Sequence, residues 1–331
     1  MGLFRVSTTL LTLLVAIWWA ISERNYTAIL NTARLSTSLD PIYTVEQEDL
    51  ENAVYCPVNV PNAKETVLLV HGTGITLMND IQISAEYLSY AINHLSTDSP
   101  AGSGRISIIS WSAGALTTQW TLTFYPQTRE KVKRFIAIGA DFHGSWSMVP
   151  LVYLNMYTPA IVQQVPWSKF HFALVKFGGG RAQVPTTSIG SSTDLMIQPG
   201  FYGEGWEWAG FRDSWRLRDG EEVPVSNVDV FKVCAGMAIG ERRFPHVVSH
   251  DSLLWDAASQ KVIFDALHNE EIFVGIGNVS VDDCRGGMAE GLPLGSEERH
   301  AEIMPELSDY APKMPVSGWP EIPLFSYVHD G

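Results

Sequence analysis

A serine placed between two different kinds of apolar pattern is the first candidate for chemistry. Ser112 follows the apolar run RISIISW at 105–111 and precedes AGAL at 113–116. A nucleophile elbow needs a sharp strand–turn–helix junction that lifts the hydroxyl clear of the sheet, with small residues two positions to either side. Ser110 and Gly114 hold those positions, although glycine is usual where this chain has Ser110. The alternative is an ordinary helix-capping serine, but a buried strand before and a helix after favour the nucleophile.

A nucleophilic serine needs a base, and the base needs an acid to orient it. In this type of site the acid and then the histidine follow the serine along the chain. Asp194, after a short apolar run, and His250, before DSLL at 251–254, fit that order. His250 would take the proton of Ser112 and return it to the leaving group, while Asp194 would hold the imidazole tautomer.

Other residues compete for these two roles. Asp141 also follows a predicted strand, which makes it the rival acid, and His143 and His246 lie near the candidates. Chain order alone favours Asp194 only modestly over Asp141.

The remaining requirement is a pair of donors for the oxyanion. One would be the backbone N–H of Ala113, after the nucleophile, and the other would come from the loop Gly72-Thr73-Gly74. Thr73 could add its hydroxyl. The alternative is a glycine-rich turn that only ends a strand. A phosphate-binding loop is not expected, because no Gly-Lys-Ser/Thr follows.

The elements that must position these residues alternate between strand-like and helix-like patterns. Residues 80–95 carry apolar side chains at helical spacing. Five apolar runs are predicted strands, at 66–70, 105–111, 135–140, 186–190 and 228–233. Nearly all-apolar strands that alternate with helices predict an α/β class with a mainly parallel sheet and helices on both faces. The nucleophile elbow within this pattern is typical of the α/β-hydrolase fold.

Composition narrows the range of partners. The chain has 331 residues, 46% of them hydrophobic, with a formal net charge of −14. That content is typical of a packed globular protein. An acidic surface repels phosphate backbones, so nucleic acid is not an expected partner.

The N-terminal region predicts the secretory route. Arg5 precedes an apolar run at 10–21, whose length fits a signal peptide better than a membrane span. We interpret residues 1–22 as a signal peptide, with an uncleaved, membrane-attached signal anchor as the alternative. Asn25 and Asn278 begin glycosylation sequons, which fit a secreted, extracellular glycoprotein.

The predicted organisation has four parts. The signal at 1–22 is followed by an irregular N-terminal extension at 23–63 and a catalytic domain at 64–285. Residues 286–331 are rich in proline and glycine and are predicted to wrap the domain as irregular chain.

These features together resemble the fungal secreted lipases of the Candida antarctica lipase B type. The resemblance implies that Ser112, Asp194 and His250 form the triad and that Thr73 and Ala113 form the oxyanion hole. It rests on VLLVHGTG at 67–74, SWSAGALTTQWTLTFYP at 110–126, VKRFIAIGADFHG at 132–144, VPTTSIGSSTDLMIQP at 184–199 and VVSHDSLL at 247–254.

The resemblance also assigns residues outside the triad. Asp141 and Gln164 match polar residues near the acyl pocket of the family, which makes Asp141 a pocket residue and not the triad acid. Cys234 and Cys284 match a disulfide-bonded pair, whereas the family partner of Cys56 lies in a stretch that this chain lacks. The family needs no metal and no organic cofactor, and a monomer is expected.

One departure concerns the oxyanion loop. The lipases carry a further helix and strand after this loop, a unit of roughly thirty residues that is absent here. The absent strand would lie on the far side of the strand at 67–70, so the remaining sheet can still form.

Because an oxyanion hole works only when its donors are pre-positioned, two functions are predicted. The first is a carboxylic-ester hydrolase that acts on lipids or other hydrophobic esters, and so would serve lipid degradation. The alternative is a catalytically impaired pseudoenzyme or binding protein.

Overall fold

The computed structural model describes residues 39–56, 64–72, 80–97, 104–154, 157–202, 212–241, 247–269, 278–293, 295–296, 298 and 321–328. Several predicted features lie outside these ranges: the signal at 1–22, the sequon at Asn25, Thr73 of the oxyanion loop, and His246.

A parallel sheet forms the centre of the described chain. Its strands are β1 (Val67–Val70), β2 (Ile106–Trp111), β3 (Val132–Ile138), β4 (Thr186–Gly190) and β5 (Val225–Asp229), in that spatial order. Every neighbouring pair is parallel. Parallel strands need crossover connections, and the sequence provides helical segments between them. The predicted α/β class with a mainly parallel sheet is therefore confirmed for the described residues.

Eight described helices surround the sheet. They are α1 (Gln47–Asn52), α2 (Ile81–Thr97), α3 (Ala113–Phe124), α4 (Met148–Tyr153), α5 (Pro159–Gln163), α6 (Lys169–Lys176), α7 (Val230–Glu241) and α8 (Ala257–His268). Short 3₁₀ turns follow at Pro126–Lys131, Ser252–Leu254, Asp283–Arg285 and Ser326–Val328. No described helix combines the length and apolarity needed to cross a bilayer.

Strand β3 shows how both faces of the sheet are covered. Ile136 and Ile138 pack in one buried cluster with Val262 of α8. Phe135 packs in another, with Ile92 of α2. Because side chains alternate between the faces of a strand, helices cover both sides, as predicted.

Two strands differ from their predicted bounds. The fifth strand was expected at 228–233, but β5 ends at Asp229 and α7 starts at Val230. An apolar run of this length fits a buried helix as well as a strand, and periodicity alone does not separate them. The third strand was expected at 135–140 but spans Val132–Ile138, because Val132 pairs with Ile106 of β2. The charged Arg134 that masks this start is buried, and its guanidinium donates to the carbonyls of Ala266 and Asn269.

The edge of the sheet coincides with the departure from the family. Strand β1 pairs with β2 alone among the described strands, and Leu69 on β1 is exposed. This is the side on which the absent strand of the lipases would lie.

The end of the chain contacts the helices on one face. Tyr327 accepts a hydrogen bond from Trp120 Nε1 at 3.1 Å, and the amide of Phe325 donates to Gln82 at 2.8 Å. Residues 321–328 thus lie against α2 and α3; the wrapping of the whole 286–331 segment stays a prediction.

Candidate active site

Ser112 lies at a strained junction between β2 and α3. Its φ of 54° and ψ of −133° are rare for a residue with a side chain. Its hydroxyl does not cap α3, so the helix-cap alternative is wrong. A strained conformation held by the surrounding fold is typical of a functional position.

Gly114 explains how the junction can be so tight. A Cβ on Gly114 would lie 2.3 Å from the carbonyl oxygen of His71 and 2.9 Å from that of Val70. The first turn of α3 therefore passes directly against the end of β1, and only glycine leaves room for it.

Ser110 replaces the usual glycine of the elbow without leaving its hydroxyl unpaired. Ser110 Oγ and Thr118 Oγ1 are 2.7 Å apart, and Thr118 Oγ1 also donates to the carbonyl of Gly114 at 2.8 Å. A buried hydroxyl is tolerated where it has such a partner. The departure from the pattern is thus accommodated by one threonine of α3.

Three predicted side chains meet at the carboxyl edge of the sheet. Ser112 Oγ lies 2.9 Å from His250 Nε2, and His250 Nδ1 lies 2.8 Å from Asp194 Oδ2. All three residues are buried. The imidazole can thus accept from the serine while donating to the carboxylate, which is the arrangement that activates a serine.

Backbone groups fix the acid and the histidine. Asp194 Oδ1 accepts from the amides of Met196 at 2.7 Å and Ile197 at 3.0 Å. Thr193 Oγ1 donates to the carbonyl of Val248 at 3.0 Å and accepts from its amide at 3.1 Å. The loop after β4 and the loop that carries His250 are therefore tied together beside the site.

The rival residues Asp141 and His143 lie outside the hydrogen-bond chain that joins Ser112, His250 and Asp194. Asp141 is fully buried, and neither carboxylate oxygen has a hydrogen-bond partner. Burial raises the pKa of Asp141 to about 7. His143 Nε2 donates to the carbonyl of Arg216 at 3.0 Å, and burial lowers the pKa of His143 to about 3.

One predicted oxyanion donor lies within the described residues. Ala113 is the first residue of α3, so its amide has no carbonyl partner within the helix. It also lies at the positive end of the helix dipole. Thr73, the other predicted donor, lies outside the described residues, although Gly72 before it is described.

The two predicted pocket residues are linked by a short turn. The amide of Gly144 donates to the carbonyl of Asp141, and that of Ser145 to the carbonyl of Gln164, both at 2.8 Å. Gln164 is buried, and its Nε2 donates a hydrogen bond to the carbonyl of Ala160 at 3.0 Å.

The cysteines pair as the resemblance implies. Cys234 of α7 is bonded to Cys284, with their α-carbons 5.2 Å apart, and Cys56 is free and exposed. Asn278 of the second sequon is exposed. Within the described ranges, no group of three or more His, Cys, Asp or Glu side chains is arranged to hold a metal ion.

Sequence reasoning missed two neighbours of His250. The Trp111 ring lies 5.1 Å from the imidazole, centroid to centroid, and a Cβ on Gly139 would lie 3.0 Å from imidazole atoms. The available signals were an aromatic residue directly before the nucleophile and a glycine directly after β3.

A parallel sheet with a serine at the β2–α3 elbow, followed in chain order by an acid and a histidine, defines the α/β-hydrolase class. No family model matches the chain. Lipase B of Pseudozyma antarctica is 31% identical to it over 195 residues, which are 50% of this chain and 56% of that protein. The chain therefore spans little more than half the length of this relative.

A solved structure agrees with that similarity. The crystal structure of Aspergillus fumigatus lipase B has a TM-score of 0.73 and 26% identity, over 90% of this chain and 76% of that one. The predicted resemblance to fungal lipases of the lipase B type is confirmed.

Proposed function

We propose that the protein is a carboxylic-ester hydrolase that acts on hydrophobic esters through Ser112, His250 and Asp194. The observation that supports this most directly is the continuous hydrogen-bond chain, 2.9 Å from serine to imidazole and 2.8 Å from imidazole to carboxylate. The similarity to two lipases supports the same reaction class.

The first half of the reaction transfers the acyl group to the enzyme. His250 Nε2 takes the hydroxyl proton while Ser112 Oγ bonds to the ester carbonyl carbon, which gives a tetrahedral oxyanion. The imidazolium then protonates the alcohol oxygen as its bond to carbon breaks. An acyl-serine and a free alcohol result.

The second half regenerates the serine. His250 takes a proton from water, the resulting hydroxide bonds to the acyl carbon, and the proton returns to Ser112 Oγ as the acid leaves. Asp194 stays ionised and stabilises the imidazolium in both halves. The Ala113 amide and Thr73 would donate to the oxyanion, and such donors are worth about 10²–10³ in rate each.

Exposed apolar side chains that neighbour the triad residues in sequence support a hydrophobic substrate. Leu195 and Met196 follow Asp194, Val247 precedes His250 by three residues, and all three are exposed. A small-molecule or lipid ester would contact these side chains as it approaches Ser112, and they would also suit a lipid interface. Asp141 and Gln164 would be polar points in the acyl pocket.

The remaining parts of the proposal concern the setting of the enzyme. A cleaved signal at 1–22, glycans at Asn25 and Asn278 and the disulfide would fit an extracellular monomer. Mass spectrometry of the secreted protein tests this, since an N-terminus at residue 1 or unmodified sequons would contradict it.

The decisive experiment measures hydrolysis of short- and long-chain p-nitrophenyl esters together with labelling by a fluorophosphonate probe. The wild-type protein should hydrolyse the esters and react with the probe, whereas the Ser112→Ala variant should do neither. Ser84→Ala is the matched control, because Ser84 lies on α2, outside the proposed triad, and its hydroxyl donates a hydrogen bond to the carbonyl of Asp80. Folded wild type that neither hydrolyses esters nor reacts with the probe would instead identify a pseudoenzyme or binding protein.

A further inference from the structure

The triad histidine contacts an aromatic residue that belongs to the nucleophile strand. The rings of Trp111 and His250 have centroids 5.1 Å apart and an interplanar angle of 30°. Trp111 Nε1 also donates to the backbone carbonyl of His250 at 3.3 Å, and this hydrogen bond is buried. One side chain thus holds both the imidazole ring and the peptide unit that carries it.

Trp111 is itself held in place. It is the last residue of β2, directly before Ser112, and it is 7% exposed. It packs in the same buried cluster as Ile138, Ile189 and Leu253. A side chain on the central strands is a more precise support than one on a loop.

The same indole reaches the start of the predicted oxyanion loop. A Cβ on Gly72 would lie 2.8 Å from Trp111 Cε3 and 2.9 Å from Ser112 Cβ. The absence of a side chain at Gly72 is therefore what lets the end of β1 pack against the indole and the nucleophile. Trp111 is therefore bonded to Ser112 along the backbone, contacts His250 through its ring and packs against Gly72.

His250 needs such a support because its own segment is irregular. Residues 247–249 form no helix or strand, and only a short 3₁₀ turn, Ser252–Leu254, follows. The bond to Asp194 fixes Nδ1, but a single hydrogen bond allows the ring to tilt about it. A tilt would move Nε2 away from Ser112, and displacements of about 1 Å in a catalytic group can reduce the rate about 100-fold.

We propose that Trp111 is a positioning residue that holds the His250 imidazole in line with Ser112; this rests on the proposed esterase function. Its ring would also lie against the imidazolium that forms in each half-reaction, a contact of the cation–π kind. Trp111 acts through His250 and exchanges no proton.

The test compares two substitutions at Trp111 with the same two at Trp120. Trp120 is also buried, and its indole N–H also donates a hydrogen bond, to Tyr327 at 3.1 Å, but its ring stacks on Phe170, with centroids 4.0 Å apart, and not on the triad histidine. Trp111→Phe keeps an aromatic ring and loses the bond to the His250 carbonyl, and Trp111→Leu loses both. The readouts are kcat and KM for p-nitrophenyl acetate, the rate of fluorophosphonate labelling of Ser112, and thermal unfolding.

Trp111→Leu should lower kcat and the labelling rate about 100-fold, and Trp111→Phe about tenfold, with KM within about threefold of wild type. Trp120→Phe and Trp120→Leu should lower thermal stability and leave kcat within about twofold. If Trp111→Leu does not fold, Trp111→Phe alone decides the question. A folded Trp111→Phe protein with unchanged kcat, or Trp111 variants that change only KM, would overturn the inference. The proposed esterase function would still stand in that case, because the wild-type protein hydrolyses the ester. Wild type inactive towards both ester and probe would instead defeat the proposed function.

Discussion

Gly139 lies so close to His250 that a Cβ at this position would come within 3.0 Å of both imidazole Cε1 and Nδ1. Gly139 follows β3 directly and has a φ of +53°, a conformation that residues with side chains rarely adopt. Strand β3 therefore ends in a glycine whose missing side chain makes room for the base.

Gly139→Ala should displace the imidazole by a few tenths of an ångström and lower kcat about tenfold. The positive φ should also reduce the free energy of unfolding by about 1–2 kcal/mol. Gly104→Ala is the matched control, because Gly104 has a φ of +62° and no heavy atom within 4 Å of its would-be Cβ. Ester kinetics and urea unfolding of both variants separate the effects. Equal kcat values would show that the contact with His250 is unimportant.

A second glycine, Gly114, sets the distance between α3 and β1. An added Cβ would lie 2.3 Å from a backbone carbonyl oxygen, and backbone cannot move aside as a flexible side chain can. Gly114→Ala should lower the free energy of unfolding by about 3 kcal/mol and abolish ester hydrolysis.

The control for this prediction lies in α7. Gly236 is a helical glycine with no heavy atom within 4 Å of its would-be Cβ. Gly236→Ala should raise the free energy of unfolding by up to about 1 kcal/mol, the ordinary gain for glycine to alanine in a helix. Urea titration measures both variants, and a Gly114→Ala protein as stable as wild type would refute the close-approach argument.

How far the sequence predicts the site depends on what each residue does. Ser112, Asp194 and His250 were predictable as candidates because apolar runs and chain order reveal the junctions at which they lie, but only the resemblance to the lipases separated Asp194 from Asp141. Trp111 and Gly139 were not, because their role depends on where a distant loop returns in space. The end of β5 at Asp229 was predicted wrongly for a different reason: the apolar residues that follow it fit a helix as well as a strand.

The disulfide encloses the segment that carries the base. Cys234 and Cys284 are 50 residues apart, and His250 lies between them. Cross-linking a loop of this length restricts the unfolded chain, so Cys234→Ser with Cys284→Ser should lower the free energy of unfolding by about 4 kcal/mol.

Cys56 provides the control for the disulfide, because it is exposed and unpaired. Cys56→Ser should change the free energy of unfolding by no more than about 0.5 kcal/mol. Denaturant unfolding with and without reductant makes the comparison. A reductant effect that persists in the Cys234→Ser, Cys284→Ser protein would show that another thiol is responsible.

The buried carboxyl of Asp141 predicts how stability changes with pH. Its pKa is raised from 3.8 to about 7, chiefly by burial. Between these values the unfolded chain has released the proton while the folded chain still binds it, so stability falls as pH rises from about 4 to about 7. The loss is complete above pH 7 and is on the order of 4 kcal/mol. Asp141→Asn removes the ionisation and keeps the shape, so the variant should match wild type near pH 4 and exceed its stability by a similar amount at pH 8.

Asp80 supplies the opposite case for the same substitution. Asp80 is also buried, but its Oδ1 accepts from the backbone amide of Gln82 at 2.9 Å and from Gln163 Nε2 at 2.5 Å, and its Oδ2 accepts from Gln82 Nε2 at 3.1 Å. Asp80→Asn should therefore lower the free energy of unfolding by about 1–3 kcal/mol at pH 8, because an amide has a single acceptor oxygen and leaves one of these donors facing an NH₂ group. Urea unfolding at pH 4 and pH 8 measures both proteins. An Asp141→Asn variant with the same pH dependence as wild type would mean that Asp141 does not titrate in this range.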